Sequence, residues 1–98
     1  KNDIIQVFIS ISACCSTRAI EDGTIALGGK LPVNTNGGGL SCVHPGMYGL
    51  FLMIEAVQQL RGECGARQIK DAKLAACNGN GGYLSSQVTA VFGTAATL

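Results

Sequence analysis

The chain has 98 residues, of which 47% are hydrophobic and 13% are charged, and its formal net charge is +1. This length fits one small domain. The charged share is about half of that in a usual soluble domain, so we expect partner structure to cover part of the surface. The sequence has no basic run and no Trp, which argues against a nucleic-acid binder, and no apolar stretch approaches the roughly 20 residues of a transmembrane helix.

The cysteines do not form the pattern of a disulfide framework. Their number is odd, two of them are adjacent, and no pair has the Cys-x-x-Cys spacing; they are Cys14, Cys15, Cys42, Cys64 and Cys77. Because the chain also has a single His, we expect no structural zinc site. Reduced thiols are typical of intracellular proteins, and no clear cleavage site of a signal peptide follows the N-terminal segment.

The N-terminal part combines an apolar segment with a long irregular one. Residues 3 to 15 are rich in Ile, Val and Phe with alternating positions, which favours a strand; a helix is the alternative. Residues 16 to 46 contain the pair Gly28-Gly29 and a glycine triplet at 37 to 39, which predict turns and close backbone approaches. A loop this long in a small domain indicates function or missing structural context.

The clearest predicted helix begins at Pro45 and ends before Gly62. Pro is favoured at the first helical position, and Gly is favoured just after the last one. Helical spacing places a set of apolar residues on one face: Met47, Leu50, Phe51, Ile54, Val57 and Leu60. Gln58, Gln59 and Arg61 are predicted on the other side. Since Leu52 and Met53 widen the apolar stripe, the pattern predicts a helix that is buried on most sides.

The C-terminal part reads as a β-hairpin. Leu74 to Cys77 forms a short apolar strand, and residues 78 to 82, Asn-Gly-Asn-Gly-Gly, favour a turn with positive φ. Residues 83 to 92 then alternate apolar and polar side chains, which predicts the second strand. The order of elements, an apolar segment, a loop, a buried helix and a hairpin, predicts an α/β fold.

His44, the single histidine, is a candidate catalytic residue. It follows the glycine-rich loop of residues 34 to 39 and stands at the mouth of the predicted helix. The imidazole pKa lies near neutrality, so a His placed there can act as a general base toward a thiol. The alternative is a histidine that caps the helix or is satisfied in the core, and composition leaves both open.

Cys77 is the second candidate, because it lies at the end of a predicted strand just before a glycine-rich turn. Such a turn can present backbone N–H groups to an anion or oxyanion, and a thiol beside it can act as nucleophile or acid/base. The alternative is a small buried hydrophobe. The turn of residues 79 to 82 is not a phosphate loop, since it lacks the Lys and the Ser or Thr and precedes a hairpin instead of a helix.

Several segments together resemble the thiolase family. The motif of Val-Asn, paired glycines and Gly-His-Pro is similar to residues 31 to 38 (LPVNTNGG) followed by His44-Pro45-Gly46. Residues 58 to 63 (QQLRGE) resemble the family's Gln-Leu-Arg-Gly, and Cys77-Asn78-Gly79 matches its Cys-x-Gly motif. The segments occur in family order over about residues 20 to 98, and residues 44 to 49 look closest to the branch of the sterol-carrier-protein X thiolases and acetyl-CoA acetyltransferases.

The resemblance implies a fold and a chemistry. Thiolases have two similar halves layered α-β-α-β-α, so residues 1 to 98 are expected to form a partial C-terminal domain with an incomplete fold. The family condenses two acyl-CoA units or cleaves a 3-ketoacyl-CoA with coenzyme A. It uses no metal and no cofactor beyond its coenzyme A thioester substrates, and its members are homo-oligomers.

The resemblance also implies residue roles. His44 would activate a nucleophilic cysteine of the N-terminal half, and Cys77 would serve as acid/base on the second acyl group. Substrate or oxyanion binding is expected at Asn34, Gly37, Gly38 and Gly79.

Some features depart from the family pattern. Cys42-Val43 stands where many members have Lys-Gly. Residues 1 to 19 match poorly, no Asn-Glu-Ala-Phe or His-Asp-Cys-Phe motif is present, and the half that bears the nucleophile is absent. The chain also lacks an initiating Met. We therefore expect a fragment that is inactive alone and needs the N-terminal thiolase half, in a cytoplasmic or else peroxisomal or mitochondrial enzyme; the alternative is a non-catalytic interaction module derived from a thiolase.

Overall fold

A computed structural model of the chain describes residues 4–8, 20–42, 46–83 and 85–97. Three strands and one long helix form the frame: β1 (Ile4–Phe8), α1 (Tyr48–Arg61), β2 (Leu74–Gly81) and β3 (Ser86–Gly93). Single turns of 3₁₀ helix occupy Gly38–Ser41, Gly65–Arg67 and Ala95–Thr97. No helix in these ranges is long and apolar enough to cross a membrane.

The central strand of the sheet is β2, with β1 on one side and β3 on the other. β1 runs parallel to β2 and β3 runs antiparallel, so that Cys77 lies opposite Val7 on one side and Ala90 on the other. Parallel strands need a long crossover connection, and α1 lies within the connection from β1 to β2. The helix packs on one face of the sheet, which confirms the predicted α/β class.

The core lies between α1 and β2 and is made largely of small side chains. Leu52, Ala56 and Ala75 have no exposed surface, and Ile69 and Cys77 complete the buried cluster. The backbones also come close at Gly49 and Gly79, since a Cβ added at Gly79 would lie 3.3 Å from the Gly49 Cα. Small residues on both elements therefore bring the helix close to the central strand.

The predicted helix is present, and it ends before Gly62 as the sequence predicts. Gly62 adopts the left-handed conformation at φ 76°, and its N–H donates to the carbonyl oxygens of Gln58 and Gln59. This is the C-terminal cap for which glycine is favoured. The helix begins at Tyr48, and the predicted first residue, Pro45, lies outside the described residues.

The predicted orientation of the helix is wrong. Its buried residues are Leu52, Glu55, Ala56 and Gln59, whereas Leu50 and Ile54 from the predicted apolar face are 48% and 46% exposed. Spacings of three, four and seven residues join the buried set into one helical stripe. The stripe includes two polar residues because neighbouring loops satisfy their side chains, and the helix is not buried on most sides.

The hairpin is confirmed, but its turn lies further along the chain than predicted. β2 continues through Asn78 to Gly81, and those residues pair in register with Thr89 to Ser86 of β3. The chain reverses after Gly81, where Gly82 has φ 59° and the Ser85 N–H donates to the Gly81 carbonyl oxygen at 3.2 Å. Cross-strand pairing outweighs the turn preference of the Asn-Gly sequence, which is a frequent override of local propensity.

The N-terminal predictions are tested only in part. β1 confirms a strand over Ile4–Phe8, and the remainder of the predicted segment, residues 9 to 15, lies outside the described residues. Residues 22 to 42 form turns, bends and one 3₁₀ helix, in agreement with the predicted irregular segment.

Candidate active site

An open cleft of about 690 Å³ lies between the first half of α1 and the hairpin. Apolar side chains and glycines from both sides form its walls, among them Met47, Leu50, Met53, Gly79 and Val88, and Cys77 also contributes to the lining. Small-molecule sites have volumes of about 300–1,000 Å³ and mostly apolar linings with few polar groups. The cleft has the size and composition of such a site.

Cys77 is placed on this cleft by the central strand. With Ala75 it belongs to the alternate positions of β2 that α1 covers, and it is 2% exposed. Its Sγ donates a hydrogen bond to the Leu52 carbonyl oxygen at 3.4 Å. Burial raises the pKa of the Cys77 thiol, because the low-dielectric surroundings disfavour the thiolate. Its protonated form is therefore favoured over the thiolate.

The surroundings of Cys77 differ from the prediction in one respect. Residues 78 to 81 continue the strand, so the predicted turn with free N–H groups directly beside the thiol is absent from the described hairpin. Gly79 lies two residues along the same strand face and lines the cleft.

The second group of predicted site residues forms a tight loop. Asn34 has a left-handed backbone at φ 51°, and Gly37 and Gly38 have φ of 95° and 70°. The Asn36 Oδ1 accepts hydrogen bonds from the Gly38 N–H at 3.0 Å and from the Tyr48 hydroxyl at 3.2 Å. The loop is thus folded on itself and held against the first residue of α1.

Asn34 carries an unusual feature within this loop. Its side-chain Oδ1 is buried and has no hydrogen-bond partner among the described residues. Gly38 packs beside it, since a Cβ added there would lie 3.6 Å from the Asn34 Cβ. An unsatisfied buried amide oxygen costs roughly 1–3 kcal/mol, so the Asn34 amide is a candidate for contact with a ligand or with residues outside the described ranges.

The structure connects the two groups of predicted residues through α1. The loop contacts the helix at Tyr48, which also lines the cleft, and Cys77 contacts the helix at Leu52. His44 lies outside the described residues, as do Cys14 and Cys15. Gly46, two residues after His44, lines the cleft.

The other described cysteines lie in different surroundings. Cys64 is buried and Cys42 is partly exposed, and both are free thiols. Burial also raises the pKa of Cys64, with a further contribution from the charge of Glu55. Within the ranges that the structure describes, no three His, Cys, Asp or Glu side chains are grouped closely enough to hold a metal ion.

Sequence reasoning missed the polar residues that support the site. Glu55 is 2% exposed and accepts a hydrogen bond from the Thr35 hydroxyl at 2.7 Å. The available signal was a single carboxylate inside an otherwise apolar stretch of helix, four residues before Gln59. A buried charge of this kind normally has dedicated partners.

Comparison with known proteins relates the sequence of this chain to one family. The family described as thiolase C-terminal domain-like matches residues 14–94. The chain is 38% identical over 76 residues to the acetyl-CoA acetyltransferase of Methanothermobacter thermautotrophicus, which is 76% of this chain and 20% of that protein. Its identity to sterol carrier protein 2 of Bos taurus is 42% over 59 residues, which is 59% of this chain and 11% of the relative.

A further relative is the non-specific lipid-transfer protein-like 2 of Caenorhabditis elegans, 45% identical over 49 residues, which is 49% of this chain and 12% of that protein. The chain therefore spans no more than about a fifth of the length of the curated relatives described here. These matches confirm the resemblance read from the sequence, and the small α/β structure is consistent with an incomplete C-terminal fold of this family.

Proposed function

This chain belongs to the thiolase C-terminal domain family, and we propose that it is part of an acyl-CoA acyltransferase of the thiolase type. The parent enzyme joins two acyl-CoA units by Claisen condensation or cleaves a 3-ketoacyl-CoA with coenzyme A. The observation that carries the proposal is Cys77, a buried thiol in a Cys-x-Gly motif that lines the cleft beside α1.

Cys77 acts as acid and base on carbon in this proposal. In cleavage, the C2–C3 bond of the 3-ketoacyl-CoA breaks, the acyl group remains on a cysteine of the N-terminal half, and the electron pair stays on C2. The Cys77 thiol then gives its proton to C2. In condensation, the Cys77 thiol first gives its proton to the coenzyme A sulfur that leaves when the first acyl group is transferred to the cysteine of the N-terminal half. The resulting Cys77 thiolate then takes a proton from C2 of the second acyl-CoA, whose C2 forms the new bond to the acyl carbon. The raised pKa of Cys77 supports a resting state in which the proton is present.

The remaining predicted residues assist this chemistry. Negative charge forms on a thioester oxygen as the C2 proton moves, and preorganised donors stabilise such charge strongly. We assign Asn34, Gly37, Gly38 and Gly79 to substrate and oxyanion binding, and His44 to activation of the nucleophilic cysteine. The Asn34 Oδ1, which is buried and has no hydrogen-bond partner among the described residues, is an acceptor. It supports contact of that side chain with a substrate group that donates a hydrogen bond, whereas an oxyanion would be bound by the Asn34 amide N–H. No resident cofactor or metal enters the proposal.

The parent enzyme has further expected partners. The N-terminal thiolase half must supply the nucleophile, and the parent is a homo-oligomer in this proposal. Free thiols at Cys42, Cys64 and Cys77 favour a reducing compartment, with the cytoplasm ahead of the peroxisome and the mitochondrion. The isolated chain of 98 residues is inactive in this proposal, because it lacks that nucleophile.

A second candidate function is a non-catalytic interaction module derived from a thiolase. The observation that favours it is the exposure of large apolar side chains at the start of α1, where Met47, the residue before the helix, is 57% exposed and Leu50 is 48% exposed. Exposed apolar surface of this kind marks interaction sites. The two candidates predict different activities. The acyltransferase turns over acyl-CoA and requires the Cys77 thiol, whereas the interaction module has no turnover.

The deciding experiment uses the natural gene product that carries this chain. Coenzyme A-dependent cleavage of a 3-ketoacyl-CoA should be measured for the wild type, Cys77→Ala and Cys64→Ala. Both cysteines are buried free thiols, so Cys64→Ala controls for the loss of a buried sulfur. We expect Cys77→Ala to lower kcat by at least about 100-fold, the usual contribution of a general acid/base, and Cys64→Ala to retain activity.

Three results would each contradict a part of the proposal. A natural product that neither cleaves nor condenses acyl-CoA thioesters would favour the interaction module. Full activity of Cys77→Ala would remove Cys77 from the mechanism. Turnover by the purified 98-residue chain would overturn the expectation that it is inactive alone.

A further inference from the structure

A buried carboxylate without an assigned role lies on the core side of α1. Glu55 is 2% exposed. It accepts hydrogen bonds from the Thr35 hydroxyl at 2.7 Å, from the Gln59 amide at 3.0 Å and from the Arg67 guanidinium at 3.0 to 3.1 Å, and a longer one from the Cys64 thiol at 3.8 Å. A buried charge needs several such partners to offset its desolvation. The partners of Glu55 come from the chain before α1 (Thr35), from α1 itself (Gln59) and from the chain after it (Arg67).

The connection toward Arg67 is redundant. The Gln59 amide donates to the Arg67 carbonyl oxygen at 2.9 Å and accepts from the Ile69 N–H at 2.9 Å. Gln68 adds hydrogen bonds from its side chain to the Gln59 and Ile69 carbonyl oxygens. The segment after α1 is therefore held by several hydrogen bonds and does not depend on Glu55 alone.

The connection toward the loop is different, because Thr35 is its buried contact with the network. Thr35 is 4% exposed and lies between Asn34 and Asn36. The loop contains the left-handed residues Asn34, Gly37 and Gly38, and glycine loses much conformational freedom when it is ordered. The second contact with the helix, from the Tyr48 hydroxyl to Asn36, is longer at 3.2 Å and only partly buried.

Glu55 stays ionised in this setting. Burial by itself raises its pKa, but the hydrogen bonds from Arg67, Thr35 and Gln59 and the positive charge of Arg67 outweigh burial, so that the pKa is lowered. An ionised acceptor makes stronger and shorter hydrogen bonds than a neutral one. The Thr35 hydroxyl, at 2.7 Å from the carboxylate, is held by such a bond.

We propose that Glu55, acting through the Thr35 hydroxyl, is a positioning residue that holds the loop of residues 34 to 38 in place against α1. The same helix contacts Cys77 through the Leu52 carbonyl oxygen, so the bond fixes the Asn34 amide relative to the Cys77 cleft. This inference rests on the proposed function only in the claim that the fixed geometry serves turnover.

The first test compares Thr35→Val with Thr35→Ser by hydrogen exchange. Val keeps the branched shape and removes the hydroxyl, whereas Ser keeps the hydroxyl donor. Backbone amides of residues 36 to 38 should exchange about tenfold faster in Thr35→Val and at the wild-type rate in Thr35→Ser, because one charge-assisted hydrogen bond is lost only in the first. Amides of residues 64 to 69 should keep their protection in both variants.

The second test measures kcat and KM of the same variants in the natural gene product. Thr35→Val should lower kcat about tenfold, since small misplacements of a binding group reduce rate strongly, with little change in KM for coenzyme A. Thr35→Ser should restore kcat to within about twofold of the wild type. If Thr35→Val fails to fold, Thr35→Ala removes the same hydroxyl without demanding space.

The outcomes separate this inference from the proposed function. Unchanged exchange in Thr35→Val and Thr35→Ala would overturn the positioning role whatever the activity. Faster exchange with unchanged kcat would overturn its link to turnover. A wild type without thiolase activity would overturn the proposed function, and the exchange data would still decide whether the Thr35 hydroxyl holds the loop.

Discussion

The two sides of α1 do not divide into an apolar core side and a polar solvent side. On the core side, Glu55 and Gln59 are 2% and 1% exposed. On the open side, Leu50 and Ile54 are 48% and 46% exposed. The polar side is satisfied by hydrogen bonds within the described chain, whereas the apolar side faces the cleft and solvent.

This difference shows that burial on the core side is decided by partners as well as by hydropathy. Thr35, Gln59 and Arg67 supply the donors that make burial of Glu55 possible. The apolar side has no such covering in the described residues. Exposed apolar residues grouped on one side of a helix normally mark a surface that another part of the structure or a partner covers, and this fits a chain that spans no more than about a fifth of its relatives.

The largest expected effect compares two leucines of α1. Leu52 has no exposed surface and Leu50 is 48% exposed. Leu52→Ala should lower the free energy of unfolding by about 3 kcal/mol, because it removes buried methyl groups and leaves a cavity, and Leu50→Ala should cost less than about 1 kcal/mol. Urea denaturation measures both, and equal losses would contradict the assignment of the core side.

The next effect tests the buried polar network. Glu55→Gln keeps the shape but replaces a charged acceptor that receives hydrogen bonds from four residues, Thr35, Gln59, Cys64 and Arg67. We expect a loss of about 2 kcal/mol in the free energy of unfolding near neutral pH, because a neutral amide cannot accept all of these bonds. The exposed Glu63 provides the matched control, and Glu63→Gln should change stability by less than about 0.5 kcal/mol. Similar values for the two variants would mean that the network contributes little.

A smaller effect concerns the close approach of α1 and β2. A Cβ added at Gly79 would lie 3.3 Å from the Gly49 Cα, and one added at Gly39 would meet nothing within 4 Å. Gly79→Ala should therefore destabilise the protein by about 1 kcal/mol through overpacking, with Gly39→Ala close to neutral. Thermal unfolding distinguishes the two, and a neutral Gly79→Ala would show that the helix can shift away without cost.

The same comparison explains what the sequence could predict. The helix and its end at Gly62 were predictable because apolar spacing and a glycine stop are local signals. The α/β class and the hairpin followed from similar local patterns. The family motifs indicated Cys77 and Asn34 as site candidates, although their roles stay predictions.

The errors arise where distant residues decide. The core side of α1 depends on Thr35 and Arg67, twenty residues before and twelve residues after Glu55, and no local pattern contains them. The turn was misplaced because β3 pairs with the Asn78-Gly79-Asn80-Gly81 segment and extends β2 through it. Exposure of Leu50 could not be predicted either, since apolar spacing is the same whether a partner is present or absent.

The smallest expected effect is the acid dependence of stability, which tests the contribution of the ionised Glu55 carboxylate. The pKa of Glu55 is lowered in the folded protein from an ordinary value of 4.5, so the unfolded chain binds this proton at higher pH than the folded chain does. As the pH falls below that value, protonation favours the unfolded state, and the stabilisation from Glu55 is lost as the pH passes through the folded pKa. Glu55→Gln has no such proton. As the pH falls from about 6 to about 3, the difference in the free energy of unfolding between wild type and variant should therefore narrow. Urea denaturation across this range measures the difference, and parallel curves would mean that the Glu55 carboxylate gains nothing from Thr35 and Arg67.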